Sequence, residues 1–312
     1  MGETNRIIEA AADLPELYPG YETKWIDTTI GKIFVRIGGS GPPLLLLHGY
    51  AQTNVMWHLV APSLAKQFTL VIADLPGYGN SDVPRAAPDH SPYTKRAMGG
   101  AMAQVMASLG FEKFRIAGHD RGGRVAYRLA FDQPRRIEKL AVLDVLPIWS
   151  VWQTMNAASA YKIWSWNYLA LPEPFPETMI GQDPIYYWDF KTRTMTKDQS
   201  LAVFDPRALE HYRAFFRQPA RIHATCEDYR AGRTTDYAID ALDHDLGNKI
   251  TCPLFVIWAT SGAAQAETSD PIATWREWAV DVHGCPIESG HFLAEENPDA
   301  TATALLSFFT GS

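Results

Sequence analysis

Apolar and polar positions along the 312-residue chain fall into two alternating kinds of segment. Short, unbroken apolar runs bounded by proline and glycine recur: "PPLLLLHGY" from Pro42, "FTLVIADLPGYGNSD" from Phe68, "KFRIAGHD" from Lys113, "EKLAVLDVLP" from Glu138 and "CPLFVIWAT" from Cys252. Runs this short, with no polar alternation, predict strands buried on both faces. Ahead of them "KWIDTTIGKIFVRIGG" reads as two strands turning at Gly31, an opening hairpin. Helical spacing fills the gaps. Residues 94–110 suit a helix closed by Gly110, and "GGRVAYRLAFDQP" a helix with Val125 and Leu129 four apart and a stop near Pro134. Beyond Cys252, "DPIATWREWAVDV" and "NPDATATALLSFF" predict two more helices, with "GCPIESGHFL" a short strand and loop between them.

Strands alternating with helices in this way predict an α/β protein with a mostly parallel, doubly wound sheet. The alternation breaks between Pro147 and about Asn248, where "YKIWSWNYLALPEP" and "YYWDF" are aromatic-rich and look helical with proline interruptions. This predicts a helical cap, or lid, over 148–248, inserted between two core strands. Residues 1–147 and 249–312 then form the core. A cap so placed covers the carboxyl ends of the strands, where open α/β sheets bind ligands.

Composition narrows the partners. Apolar residues make up 46% and charged residues 20%, ample for a core, and the net charge of −7 argues against a nucleic-acid or anionic-membrane surface. Cys226, Cys252 and Cys285 are too scattered for a metal site and too few for a disulfide framework. The first twenty residues lack a basic stretch followed by an apolar run, and no apolar run approaches the ~20 residues of a membrane span. The expectation is a cytoplasmic protein that needs no metal or organic cofactor.

The candidate chemistry centres on "IAGHDRGGRVAYR", Ile116 to Arg128. A buried run, a Gly-x-nucleophile-x-Gly turn and a helix outline a nucleophile elbow whose central side chain is Asp120. Alone, the pattern is equally an aspartate capping the following helix. Two further features favour the elbow. His291, in "SGHFLAEENP", lies after the last strand, as the chain order of nucleophile first and histidine last requires. An acid to orient it stands at the carboxyl end of a strand, Asp144 in "LAVLDVLP"; the other candidate, Glu267, follows "PLFVIWAT" at a distance, and Asp144 is preferred. After His48-Gly49, the backbone N–H of Tyr50 and that of Arg121 could form an oxyanion hole. Arg121 and Arg124, one and four residues past the nucleophile, offer guanidinium forks suited to a small carboxylate.

With these residues in place, the sequence resembles the α/β-hydrolase superfamily, and within it the haloacetate (fluoroacetate) dehalogenases. "GPPLLLLHG", "ADLPGYGNSD", "YTKRAM", "AGHDRGGRVAYRLA", "LAVLDVLP", "FDPRALEHYR", "CEDYRAG" and "IESGHFL" carry the likeness, over nearly the whole chain. The resemblance implies the α/β-hydrolase fold and hydrolytic dehalogenation of a short 2-haloacid through an ester of Asp120, with His291 and Asp144 activating water. It also implies that Arg121 and Arg124 bind the substrate carboxylate and that lid residues Trp166 and Tyr229 face the halide. Ser165 stands where fluoride-cleaving members have a histidine, so chloride and bromide are the expected leaving groups. Members are commonly homodimers, which makes a second copy of the chain an expected partner. An epoxide hydrolase shares the fold and the aspartate, but a neutral epoxide gives the paired arginines nothing to bind. A non-catalytic binding protein has no need of nucleophile, acid and histidine together.

Overall fold

The computed structural model describes residues 14–262 and 270–311. Eight strands form one sheet: β1 (Glu22–Thr28), β2 (Gly31–Gly39), β3 (Pro43–Leu47), β4 (Thr69–Ala73), β5 (Phe114–His119), β6 (Ile137–Leu143), β7 (Leu254–Ala259) and β8 (Val282–Ile287). Their spatial order is β1-β2-β4-β3-β5-β6-β7-β8. The opening hairpin is present, turning at Gly31 and pairing Trp25 with Phe34. β2 runs antiparallel to β1 and β4, and every later pair is parallel. The unbroken apolar runs are explained by position, because Leu44 to Leu47 of β3 and Leu70 to Ala73 of β4 are fully buried between helices on both faces.

In chain order the principal helices are α1 (Lys95–Ser108), between β4 and β5, and α2 (Arg121–Asp132), between β5 and β6. The segment between β6 and β7 contributes α3 (Ile148–Thr154), α4 (Ala157–Lys162), α5 (Ser165–Leu169), α6 (Phe175–Gln182), α7 (Pro184–Arg193), α8 (Pro206–Phe216), α9 (Pro219–Arg233) and α10 (Thr235–Asp245). The sheet then resumes, with α11 (Pro271–Trp278) before β8 and α12 (Pro298–Thr310) closing the chain. No described helix is long and apolar enough to cross a membrane. Of the three thiols, those of Cys226 and Cys252 are buried and that of Cys285 is half-buried.

Polar side chains tie the inserted helices to the core. The indole of Trp278, on α11, donates to Ser150 Oγ of α3 at 3.0 Å. From α2, Tyr127 donates to Asp240 at 2.7 Å and Arg128 to Asp243 at 2.6 Å, both on α10. Lys95, at the start of α1, is buried between Asp228 of α9 and Asp236 of α10. The parallel strands therefore end beneath a firmly attached helical roof.

Candidate active site

The elbow sits where β5 meets α2. Asp120 has φ 45° and ψ −114°, a conformation that L residues rarely adopt. Two glycines make so sharp a reversal possible. A Cβ at Gly118 would lie 2.4 Å from the Gly122 carbonyl oxygen, and one at Gly122 would lie 2.4 Å from that of His48. Asp120 does not cap the helix that follows. Instead its Oδ1 accepts the Tyr50 backbone N–H at 2.8 Å, from the loop after β3. The Arg121 N–H is the first of α2, beside the same carboxylate.

His291 and Asp144 arrive from two other strand ends. Asp144 directly follows β6, also at positive φ (49°), and its Oδ1 accepts the Ala259 N–H of β7 at 3.2 Å. Its Oδ2 lies 2.6 Å from His291 Nδ1. That bond assigns the proton to Nδ1 and leaves the lone pair on Nε2. Nε2 is buried, has no hydrogen-bond partner among the described residues and stands 3.9 Å from Asp120 Oδ2. The Asp120 carboxylate, an imidazole nitrogen and a second carboxylate behind that ring thus converge on one point. Asp144 takes the acid's place; Glu267 lies outside the described residues.

The structure separates the two arginines. Arg121 is occupied: its Nε donates to Asp228 Oδ2 at 2.9 Å, and its Nη2 to Asp228 Oδ1 at 2.6 Å and to the Asp228 carbonyl at 2.8 Å. Among the described residues only its Nη1 lacks a partner, and Arg121 is not among those lining the cavity. Arg124 does line it. Its Nη1 donates to the Leu146 carbonyl at 2.6 Å, its Nε meets no partner among the described residues, and its guanidinium lies 4.3 Å from the centre of the Trp166 ring. Of the two forks, Arg124 is the one presented to a ligand.

The cavity over Asp120 and His291 has a volume of about 740 Å³. Ser165, Trp166 and Tyr229 come together on its wall, as the sequence places them, and all three are buried. Burial, reinforced by the nearby Asp120 charge, pushes the Tyr229 phenol well above its ordinary value, so its hydroxyl remains a donor. Tyr161 and Lys162, both exposed, stand on the cavity's rim.

A sequence model of the alpha/beta hydrolase fold family matches residues 42–298. The chain belongs to that family. It is 40% identical over 298 residues to a fluoroacetate dehalogenase of Burkholderia sp, covering 94% of this chain and 95% of that protein. It is 31% identical over 278 residues to the soluble epoxide hydrolase of Corynebacterium sp. (strain C12), covering 87% and 91%. Among solved structures, ALR0039 of Nostoc sp PCC 7120 superposes with a TM-score of 0.90 at 45% identity, covering 94% of this chain and 99% of that one. The expected fold class is therefore the one found.

In this α/β hydrolase the Asp120 carboxyl is kept charged. Burial alone would push the Asp120 carboxyl up, but the surrounding His291, Arg124, His119 and Arg121 outweigh it and hold the group well below the usual carboxylate range. The two guanidiniums carry that effect at any working pH, because arginine does not deprotonate. Three contributors escaped the sequence reading. His119 Nε2 lies 2.8 Å from the His291 carbonyl, and burial, with His291 nearby, lowers its pKa to about 4, so a neutral ring braces the loop that carries His291. Its place just before Asp120 was the available signal. Asp228 and Lys95 lie within "CEDYRAG" and "YTKRAM", but which charge pairs with which across more than 100 residues is not written locally. Burial would raise the Asp228 carboxyl, yet Arg121 and Lys95 bring it down to about 2.

Proposed function

We propose that this hydrolase cleaves the carbon–halogen bond of short 2-haloacids through an ester formed on Asp120. The carrying observation is an elbow side chain that is a carboxylate held well below the usual carboxylate range, beside a cavity-facing Arg124 that forms no ion pair with a carboxylate among the described residues. An ionised carboxylate needs no base to attack an sp³ carbon. With Oδ1 held by the Tyr50 N–H, Oδ2 is the free oxygen. It displaces halide from the carbon next to the substrate carboxylate, which Arg124 holds; the bonding pair leaves with the halide.

The second half-reaction consumes water. His291 Nε2 takes a proton from water, whose oxygen adds to the Asp120 Cγ. Negative charge builds on Oδ1, where the Tyr50 and Arg121 N–H groups stabilise it. Asp144 stabilises the imidazolium. Collapse breaks the Cγ–O bond to the substrate, the departing alkoxide takes the proton from His291, and a 2-hydroxyacid is released. The carboxyl left on Asp120 carries one oxygen from water and, being strongly acidic in this setting, releases that water's second proton to solvent to restore the carboxylate. The fluoroacetate dehalogenase likeness over nearly the full chain supports this reading.

The second reading is hydrolysis of an epoxide, favoured by the Tyr229 hydroxyl in the cavity and the epoxide hydrolase likeness. Assaying chloroacetate for chloride release and styrene oxide for diol formation separates the two. Chloride release that vanishes in Asp120→Asn is the expected result; diol formation without chloride release would replace the first reading by the second.

A further inference from the structure

A two-carbon haloacid needs little of the site. A cavity of about 740 Å³ belongs to the range that encloses drug-sized ligands. It also holds a cation that the mechanism above leaves unused. Lys191, in the last turn of α7, is only 6% exposed and lines the same cavity as Asp120 and Arg124. Its ammonium touches the Met195 sulfur and lies 5.9 Å from the centre of the Tyr50 ring. Among the described residues no carboxylate forms an ion pair with it. By comparison Lys95, equally buried, has two aspartates. A buried ammonium without a counter-ion is costly, and burial accordingly lowers Lys191 to about 8, against the partly compensating charge of Asp120.

The two free cations are set apart around the wall by three aromatic rings. From Lys191 the path runs to Tyr50, then to Tyr229 with ring centres 5.5 Å apart, then to Trp166 at 6.2 Å, and from Trp166 to Arg124 at 4.3 Å. Asp120 is coupled to both: its Oδ1 accepts the Tyr50 N–H, its charge acts on Lys191, and Arg124, four residues along the chain, helps keep it ionised. A molecule with its 2-halo carbon over Asp120 and its carboxylate on Arg124 extends its remaining chain toward Lys191.

We infer that Lys191 is a second anion receptor, and that the preferred substrates are 2-halodicarboxylates, whose far carboxylate it binds. This rests on the dehalogenase reading for the reaction, but not for the binding. Two measurements keep them apart. Calorimetry of halogen-free succinate, glutarate and adipate against butyrate should show at least one diacid bound tenfold or more tighter than the monoacid. Lys191→Met should abolish that preference, and Lys191→Arg should keep most of it. In kinetics, kcat/KM for 2-bromoglutarate or 2-bromosuccinate relative to 2-bromobutyrate should fall about tenfold in Lys191→Met, chiefly through KM. Equal binding of diacids and monoacid, or a preference that survives Lys191→Met, overturns the inference. Tight diacid binding lost in Lys191→Met, with no halide released from any substrate, upholds the receptor and overturns the dehalogenase reading instead.

Discussion

In the proposed mechanism Asp120 and His291 divide the work, so removing each should stop the reaction at a different point. A His291→Asn protein keeps the nucleophile and the Arg124 fork; incubated with bromoacetate it should accumulate an ester on Asp120. Mass spectrometry of the peptide spanning Asp120 would show the added carboxymethyl group, and an unmodified peptide would contradict a role for His291 in the second step alone. Ser165 gives the other residue-scale prediction. A donor to a departing anion contributes roughly 1.5–3 kcal/mol, and ~1.4 kcal/mol is tenfold in rate. Fluoride concentrates its charge most, so Ser165→His should raise fluoroacetate turnover relative to chloroacetate by about ten- to a hundredfold. Fluoride and chloride release by the two proteins under identical conditions measures this; a ratio that does not move would place the side chain away from the halide. At this scale the meeting of Asp120, Asp144 and His291 was legible in the sequence, because each follows a strand and carries a local signal. Lys191 was not. It occupies an ordinary-looking helix, and what sets it apart is its burial in the cavity wall with no ion pair to a carboxylate among the described residues.

At the scale of one element, the first turn of α2 splits its two arginines between two tasks. Their spacing suggested a shared face toward substrate, but spacing along a helix cannot say what else reaches that face. Asp228, from α9, takes Arg121 out of the ligand's reach. The conservative replacements should therefore behave differently. Arg124→Lys loses a fork facing the cavity and should lower kcat/KM for haloacetates tenfold or more, mainly by raising KM. Arg121→Lys breaks a buried bidentate pair and should cost about 1–3 kcal/mol of stability, measured by urea unfolding, with a smaller effect on KM. Equal kinetic losses and equal stability in the two variants would return Arg121 to the substrate. The helical insertion itself was legible from the interrupted pattern after Pro147. Its internal order was not, since short aromatic helices pack by long-range contacts that periodicity does not encode.

Across the whole molecule, the inserted helices are fastened by charge as well as by packing. Lys95 lies between two aspartates from different helices, and none of the three is exposed. Lys95→Met would leave both carboxylates with one fewer cation in a dry setting, and should destabilise the protein by about 3–5 kcal/mol. Circular dichroism and tryptophan fluorescence should report this as one shifted, coincident unfolding transition, because core and insertion share these bonds. Two separated transitions would show that the roof melts by itself. A roof so fixed has a consequence for traffic. The proposed reaction needs an anion out and a water molecule in. Of the residues that line the cavity, Tyr161 and Lys162 are exposed to solvent. An anion leaving along this edge meets a cation at Lys162, which ties release of the leaving group to the charge of the cavity's rim.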